Sequence, residues 1–426
     1  MAGTDLIADL EARNLIHDST DRQALRDAVA DGPVAIYYGC DPTADSLHVG
    51  NLVGLIVLRR FQDAGHRPIA LAGGATGMIG DPGGRSEERN LLDEDTLNHN
   101  VAKIKEQLGR IVDLDPIDGS GAGALVDNRD WTQPMSALDF LRDVGKYVTV
   151  NQMLARESVK QRINSEHGIS FTEFSYMLLQ ANDYLWLYDH LDCTIQIGGS
   201  DQWGNILSGV DFIRRKRGTH VHAFSWPLLT APDGSKLGKT TGARVWLDAD
   251  KTSPYQFRQH WMQTADELVA SQLLTFSLQP VEQIEAILAE HEEAPHLRFG
   301  QRALADEMTA LVHGAPAAVA AAEAAELLFA GDPMTASEEA FATIAAEIPT
   351  SRLSVADLAD PVAVFVGTGL ASSNGDARRS LAQRSFYANG VQLDENSLLS
   401  EQKLVHDRYL LLRKGKKSYH LAEIFS

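Results

Sequence analysis

With 426 residues, 44% of them hydrophobic and 23% charged, the chain has the composition of a globular protein of two to three domains, neither disordered nor fibrous. A formal charge of −20 argues against DNA packaging and against docking on an acidic membrane, and no uninterrupted apolar run is long enough to suggest a membrane span. The acidic start lacks the basic stretch of an export or import signal, and two cysteines, Cys40 and Cys193, suit a reducing cytosol better than a disulfide framework, so a cytoplasmic protein is expected.

Taken in chain order, Pro33 to Gly39 is a short apolar run closed by glycine and reads as a buried strand. From Asp45 the apolar residues Leu52, Leu55, Ile56 and Phe61 recur at helical spacing, and Gly65 and Pro68 end the pattern. Ile69 to Gly73 is a second strand, which completes a βαβ unit and predicts a parallel sheet. Residues 131–190 are mainly helical text, with Phe140, Val144, Met153, Phe174 and Leu178 as apolar faces. The strand–loop–helix–strand grammar then returns in Cys193 to Gly198, Ser200 to Asn205, Ile206 to Arg217 and Val221 to Ser225. The expected fold class is α/β: a doubly wound Rossmann-like sheet over 1–228, split by a helical insertion at about 131–190. Residues 229–330 read as a loop followed by an α-helical domain, 331–358 as a connector marked by Gly331, Pro333 and Pro349, and 359–426 as a small α+β domain. In that last stretch Asn389-Gly390 is a hairpin signal, and Gly415 stands between two strand-like runs.

The nucleotide motifs that such a sheet invites are missing. There is no G-x-G-x-x-G, and Gly234 and Gly238 are spaced wrongly for a Walker A loop, which disfavours a dehydrogenase and a P-loop NTPase. The informative segment is Asp41-Pro-Thr-Ala-Asp-Ser-Leu-His48-Val-Gly50-Asn51, which links the first strand to the first helix. It sets His48, Gly50 and Asn51 at a helix N-terminus, where backbone N–H groups and the dipole favour an anion. Two basic islands interrupt the acidic background. Arg214, Arg215, Lys216 and Arg217 are consecutive, and between 401 and 420 Lys403, Arg408, Arg413, Lys414, Lys416 and Lys417 outnumber Glu401 and Asp407.

The His48 segment resembles the HIGH signature of class I aminoacyl-tRNA synthetases, and Lys236-Leu-Gly-Lys239-Thr240 resembles their KMSKS signature. The surrounding blocks Tyr37 to Asp45, Gly73 to Pro82, Phe171 to Gln180 and Gln196 to Asn205 narrow the resemblance to bacterial-type tyrosyl-tRNA synthetases. It implies that Tyr37 and Asp183 hydrogen-bond the substrate phenol, that Asp81, Tyr176 and Gln180 hold its ammonium group, and that Gln202 lies near its carboxyl group. It further implies that Thr43 and His48 meet the triphosphate, that Asp41 and Asp201 contact the ammonium group or the ATP ribose, and that Gly39, Gly50, Asn51 and Gly199 line the ATP site with them. Lys236 and Lys239 would close over pyrophosphate, with Arg85 and Arg89 in the same basic network. Arg378, Arg379, Lys414, Lys416 and Lys417 resemble the basic face of a small RNA-binding fold that grips tRNA(Tyr), and Arg214 and Arg215 would reach the acceptor stem. A homodimer built on the insertion, ATP with Mg2+ as substrate, no tightly bound cofactor and no dedicated protein metal site complete what the resemblance implies. Three positions depart from the family pattern: Asn51 stands for the final His of HIGH, Gly54 for a larger residue, and Arg85 for a lysine.

The chemistry agrees with the residues. Amino-acid activation joins an ionised carboxylate to the α-phosphate of ATP, so no Ser-His or Cys-His pair is required, and none is evident. What is required is alignment, and positive charge on the leaving pyrophosphate. Tyr37 and Asp183 together favour a phenol over an indole, which separates this reading from the tryptophan enzymes. Intact His48, Lys236 and Lys239 argue against a non-catalytic RNA-binding relative.

Overall fold

The computed structural model describes residues 5–81, 92–115, 123–164, 168–229, 244–329 and 331–425. They divide into two compact units, Met1–Lys251 with Gln263–Leu304, and Thr252–Met262 with Ala305–Ser426. The helical stretch expected as a separate domain over 229–330 is therefore shared between them.

The first unit is built on a sheet of strands β1 (Ala35–Cys40), β2 (Arg67–Ala72), β3 (Leu114–Asp115), β4 (Gly123–Asp127), β5 (Cys193–Gly199) and β6 (His222–Trp226). Among the described residues their order is β3-β4-β2-β1-β5-β6, and every pairing is parallel. Such a sheet must be covered on both faces, which is why β1 and β2 read as nearly continuous apolar text. Helix α1 (Val49–Asp63) and helix α2 (Glu94–Ile111) follow β1 and β2. Helix α3 (Phe171–Leu191) ends the insertion and packs on helix α4 (Trp203–Arg217). The core joins Tyr37, Leu71 and Val126 of the strands to Met177, Ala181, Tyr184 and Leu187 of α3 and Phe212 of α4. Each fully buried side chain of this size stabilises the unit by about 1.5–3 kcal/mol. The chain runs outward from β1 in one direction and resumes at β5 in the other. The order thus reverses between β1 and β5, and a ligand crevice belongs at their carboxyl ends.

Arg13 explains why residues 263–304 travel with this unit. Its buried guanidinium donates to the carbonyls of Leu274, Ser277 and Gln279 at 3.3, 3.2 and 2.7 Å, and Arg60 of α1 donates to the same Ser277 carbonyl.

The second unit holds a mixed sheet of β7 (Thr350–Ser354), β8 (Phe386–Ala388), β9 (Val391–Gln392), β10 (Tyr409–Lys414) and β11 (Ser418–Phe425), in the order β7-β11-β10-β8-β9. β10 and β11 form a hairpin across Gly415, whose φ of +62° suits glycine. One face, with Leu410, Leu412 and Ala422, packs under Phe365 and Phe386, whose rings stack at 3.8 Å. The other, with Tyr409, Leu411 and Leu421, packs on Ala324, Phe341 and Ile344. The stretch 331–358, read from sequence as a connector, instead carries a helix, Glu338–Glu347, and strand β7. Its Gly and Pro residues punctuate those elements rather than link domains.

Candidate active site

The crevice between the β1 and β5 ends collects most of the candidate residues of the first unit. Tyr176, Gln180 and Asp183 lie at i, i+4 and i+7 on α3 and so share one face. Asp183 is buried, and both its oxygens are held: Trp131 Nε1 donates to Oδ1 at 2.8 Å and Asn128 Nδ2 to Oδ2 at 2.9 Å. Burial pushes its carboxyl up to about 7, against the pull of those two donors. The Tyr37 hydroxyl, buried on β1, has no hydrogen-bond partner, and neither do Oε1 of Gln180 and Oε1 of Gln196. Burial, and then the nearby charge of Asp183, raise the Tyr37 phenol well above its usual range, so Tyr37 stays a neutral donor. An unpaired buried donor beside a carboxylate fits a ligand group that both accepts and donates. A phenol hydroxyl is such a group.

A second set extends the pocket. Tyr176 Oη donates to Asp41 Oδ2 and Thr76 Oγ1 to Asp41 Oδ1, both at 2.7 Å. Asn128 Nδ2 also donates to Thr76 Oγ1 at 2.9 Å, while its own Oδ1 accepts from the Ala75 N–H at 2.7 Å. Gln202 Nε2 donates to Asp81 Oδ2 at 2.5 Å. The carboxylates Asp41 and Asp201, just beyond β1 and β5, and Asp81, on the segment after β2, give this end of the crevice the negative character that an ammonium group needs.

His48 caps α1. Its Nδ1 accepts from the Gly50 N–H at 3.0 Å, and Asn51 Oδ1 accepts from the His48 N–H at 3.1 Å, closing a capping box. Gly50 permits this approach, because a Cβ there would lie 2.8 Å from His48 Cε1. Burial, and next the charge of Arg244, lower the His48 pKa to about 4. The ring is therefore neutral near pH 7 and keeps its proton on Nε2. The chain at 245–248 is pinned alongside: Val49 N–H donates to the Val245 carbonyl at 3.1 Å, and Leu247 N–H to the Leu47 carbonyl at 2.9 Å. This corrects one expectation. The N–H groups of Val49, Gly50 and Asn51 are all occupied by protein acceptors, so the start of α1 offers its dipole to an anion but not those donors.

One departure from the family pattern, Gly54, has a packing reason. Tyr38 is buried on the β1 face opposite Tyr37, and a Cβ on Gly54 would lie 2.5 Å from its Cζ and 2.7 Å from its Cδ1. The small residue at 54 makes room for the Tyr38 ring.

The family model of tRNA synthetases class I (W and Y) matches residues 30–330, and that of the tyrosine–tRNA ligase C-terminal domain matches residues 340–422. A tyrosine–tRNA ligase of Opitutus terrae is 48% identical over 98% of this chain and 99% of its own length. One of Streptomyces avermitilis is 45% identical over 99% of both. The chain belongs to the tyrosine–tRNA ligase family. Its fold agrees with the crystal structure of a C-terminally truncated mitochondrial tyrosyl-tRNA synthetase from Aspergillus nidulans, with a TM-score of 0.69 and 32% identity over 77% of this chain and 95% of that one.

Set against this family, the candidate residues fall into three groups. Tyr37, Asp41, Asp81, Tyr176, Gln180, Asp183, Gly199, Asp201 and Gln202 lie around the β1–β5 crevice, and Gly39, Thr43, His48, Gly50 and Asn51 follow along the loop into α1. Arg85, Arg89, Lys236 and Lys239 lie outside the described residues. The tRNA candidates are mixed. Arg378 and Arg379 on helix α5 (Asn374–Ala382) and Lys416 and Lys417 in the turn are exposed. Lys414, however, pairs with Asp376 at 2.9 Å. Arg214 pairs with Asp211 at 2.8 Å, and Arg215 donates to the Tyr147 carbonyl at 2.6 Å. The run 214–217 thus fastens α4 to the insertion as well as presenting charge. Sequence reasoning missed Thr76, Asn128, Trp131 and Tyr38. Nothing in their spacing marks them, because their partners are brought close only by the sheet.

Proposed function

We propose that the chain activates L-tyrosine with ATP, giving tyrosyl-adenylate and pyrophosphate, and then passes the tyrosyl group to the terminal adenosine of tRNA(Tyr). The observation that carries this reading is the phenol clamp: a buried carboxylate, Asp183, beside the unpartnered buried hydroxyl of Tyr37. Tyrosine would donate its phenol proton to Asp183 and accept from Tyr37. Phenylalanine would leave the Tyr37 hydroxyl unpaired, at a cost of about 1–3 kcal/mol, and would deny Asp183 a third donor beside Trp131 and Asn128. The Asp41, Asp81, Tyr176 and Gln180 group would hold the ammonium, which orients the carboxylate toward the α-phosphate. His48 would donate from Nε2 as a neutral hydrogen-bond donor, and Lys236 and Lys239 would bring charge to the departing pyrophosphate. Arg85 and Arg89 belong to the same proposed network. ATP enters as its magnesium complex, with the metal held mainly by phosphate oxygens.

The exposed apolar side chains Leu138, Leu141, Val150, Leu154, Ile163 and Phe171 cluster in sequence within the insertion, which supports a homodimer joined through it. Arg378, Arg379, Lys416 and Lys417 would grip phosphates of tRNA(Tyr). Among the described residues no helix is long and apolar enough to cross a membrane, and a cytoplasmic location is part of the proposal. An ATP–pyrophosphate exchange assay with each of the twenty amino acids tests the reading. Exchange driven by tyrosine is expected, whereas exchange driven by tryptophan or phenylalanine at a comparable rate would overturn it.

A further inference from the structure

Among the described residues, the start of α1 itself supplies little of the positive charge that the proposed reaction needs. The pyrophosphate leaving group requires positive charge, yet His48 is neutral there and the N–H groups of Val49, Gly50 and Asn51 are spent within the protein. One cation in the described structure stands beside that corner without an acidic partner. Arg244 is exposed, and its guanidinium carbon lies 5.5 Å from the centre of the Trp246 ring. Trp246 is itself bridged to His48, with ring centres 6.3 Å apart. On the same ring sits Lys251, at 5.6 Å, but Lys251 is committed to Asp45 at 2.8 Å. No carboxylate among the described residues pairs with Arg244. In a chain with 58 acidic residues against 38 basic ones, a guanidinium held on an indole and left unpaired beside a helix N-terminus is suited to an anion.

We propose that Arg244 is a further triphosphate-binding residue, whose guanidinium contacts the β- and γ-phosphates of ATP and the departing pyrophosphate. The inference rests on the reading of the chain as a synthetase. The pinning of 245–248 to 46–49 gives it geometric force, because Arg244 immediately precedes the pinned segment and cannot stray far from His48. The planar fork of arginine can take two phosphate oxygens at once, which a lysine at the same position could not. The same chemistry would suit a phosphate at the acceptor end of tRNA, and the two sources are separable, because pyrophosphate exchange contains no RNA.

The test is Arg244→Gln and Arg244→Lys in the full-length protein, with three readouts. Wild-type tyrosine-dependent exchange comes first, and its absence would refute the synthetase reading rather than this inference. In Arg244→Gln the kcat/KM for ATP in exchange should fall roughly tenfold or more, tyrosine binding followed by tryptophan fluorescence should be unchanged, and Arg244→Lys should recover part of the loss. Exchange at the wild-type rate in Arg244→Gln overturns the proposal. So does loss confined to tRNA charging, which would assign the residue to RNA phosphate. An equal loss of tyrosine binding would make Arg244 a structural brace of the Trp246 segment, and would also overturn it.

Discussion

The pocket's preference for tyrosine over phenylalanine should depend on pH, because its acceptor titrates near neutrality. Burial pushes the Asp183 carboxyl up to about 7 from a usual value of 3.8. In the free enzyme roughly nine-tenths of Asp183 is then ionised at pH 8 and about one-tenth at pH 6. A hydrogen bond from the substrate phenol to a carboxylate is worth about 1 kcal/mol more than one to a neutral carboxyl group. Phenylalanine, which offers no donor, gains as the site becomes neutral, since an uncharged buried carboxyl group loses less by lacking the substrate's donor. The ratio of kcat/KM for tyrosine to that for phenylalanine should therefore fall about five- to tenfold between pH 8 and pH 6. It would be measured by pyrophosphate exchange, because kcat/KM reports the free enzyme's ionisation. Asp183→Asn, which keeps the shape but cannot titrate, should show a low and flat ratio. A wild-type ratio that stays constant across this range would refute an acceptor that titrates near neutrality, and a ratio in Asp183→Asn equal to wild type would refute Asp183 as the acceptor. The stability linkage has the corresponding sign. The folded-state pKa is raised, so the contribution of protonated Asp183 is complete below about pH 4 and is lost as pH rises through about 7.

His48 predicts the reverse trend on the acid side. Its folded pKa of about 4 lies below the usual 6.5, so the catalytic unit should lose stability as pH falls from about 6.5 to 4, and urea midpoints of His48→Asn should show less of that loss. Lys236→Ala or Lys239→Ala should each slow activation by roughly 2–4 kcal/mol of transition-state stabilisation while tyrosine binding stays the same; wild-type exchange in both would remove them from the reaction. Deleting the C-terminal residues is a poor test of RNA binding, because β10 and β11 share a core with residues 324–344. Arg378→Glu with Arg379→Glu is the better perturbation. It should leave exchange intact, weaken tRNA charging and flatten the salt dependence of binding, since each phosphate contact contributes a slope of about 0.7–0.9. Charging at the wild-type rate would exclude that face.

The parts of the fold that were legible in the sequence are those whose signal is local. Strands β1, β2, β5 and β6 and helices α1 and α4 stand within a few residues of their expected places, since buried parallel strands are short apolar runs and the helices between them carry periodic ones. β4 was not recognised, although Asn128 at its end supplies two bonds of the pocket. β7 was lost among the residues taken for a connector, because its partner β11 lies some seventy positions later in the sequence. The site followed the same division. Tyr176, Gln180 and Asp183 share a helix face that can be counted off, whereas the bonds from Asn128 and Trp131 to Asp183 span more than 50 residues. The occupied N–H groups of α1 could not be foreseen either, as their acceptors include Val245.

Tyr38 and Gly54 test whether such non-local fits matter to function. In a straight helix, Gly54→Ala should stabilise by about 1 kcal/mol. Here the new methyl group would meet the Tyr38 ring at 2.5 Å from Cζ, and overpacking of that kind costs about 1–3 kcal/mol. The net expectation is a loss of up to about 2 kcal/mol in urea unfolding, together with a higher KM for ATP, because Gly54 lies on the helix whose first turn carries His48 and Asn51. Tyr38→Cys in the same chain removes the ring that the methyl group strikes. The double variant should then be more stable than the sum of the two single changes by at least about 1 kcal/mol. Additive effects, or a Gly54→Ala protein as stable as wild type with an unchanged KM for ATP, would mean that the ring moves aside freely and that the two positions are independent.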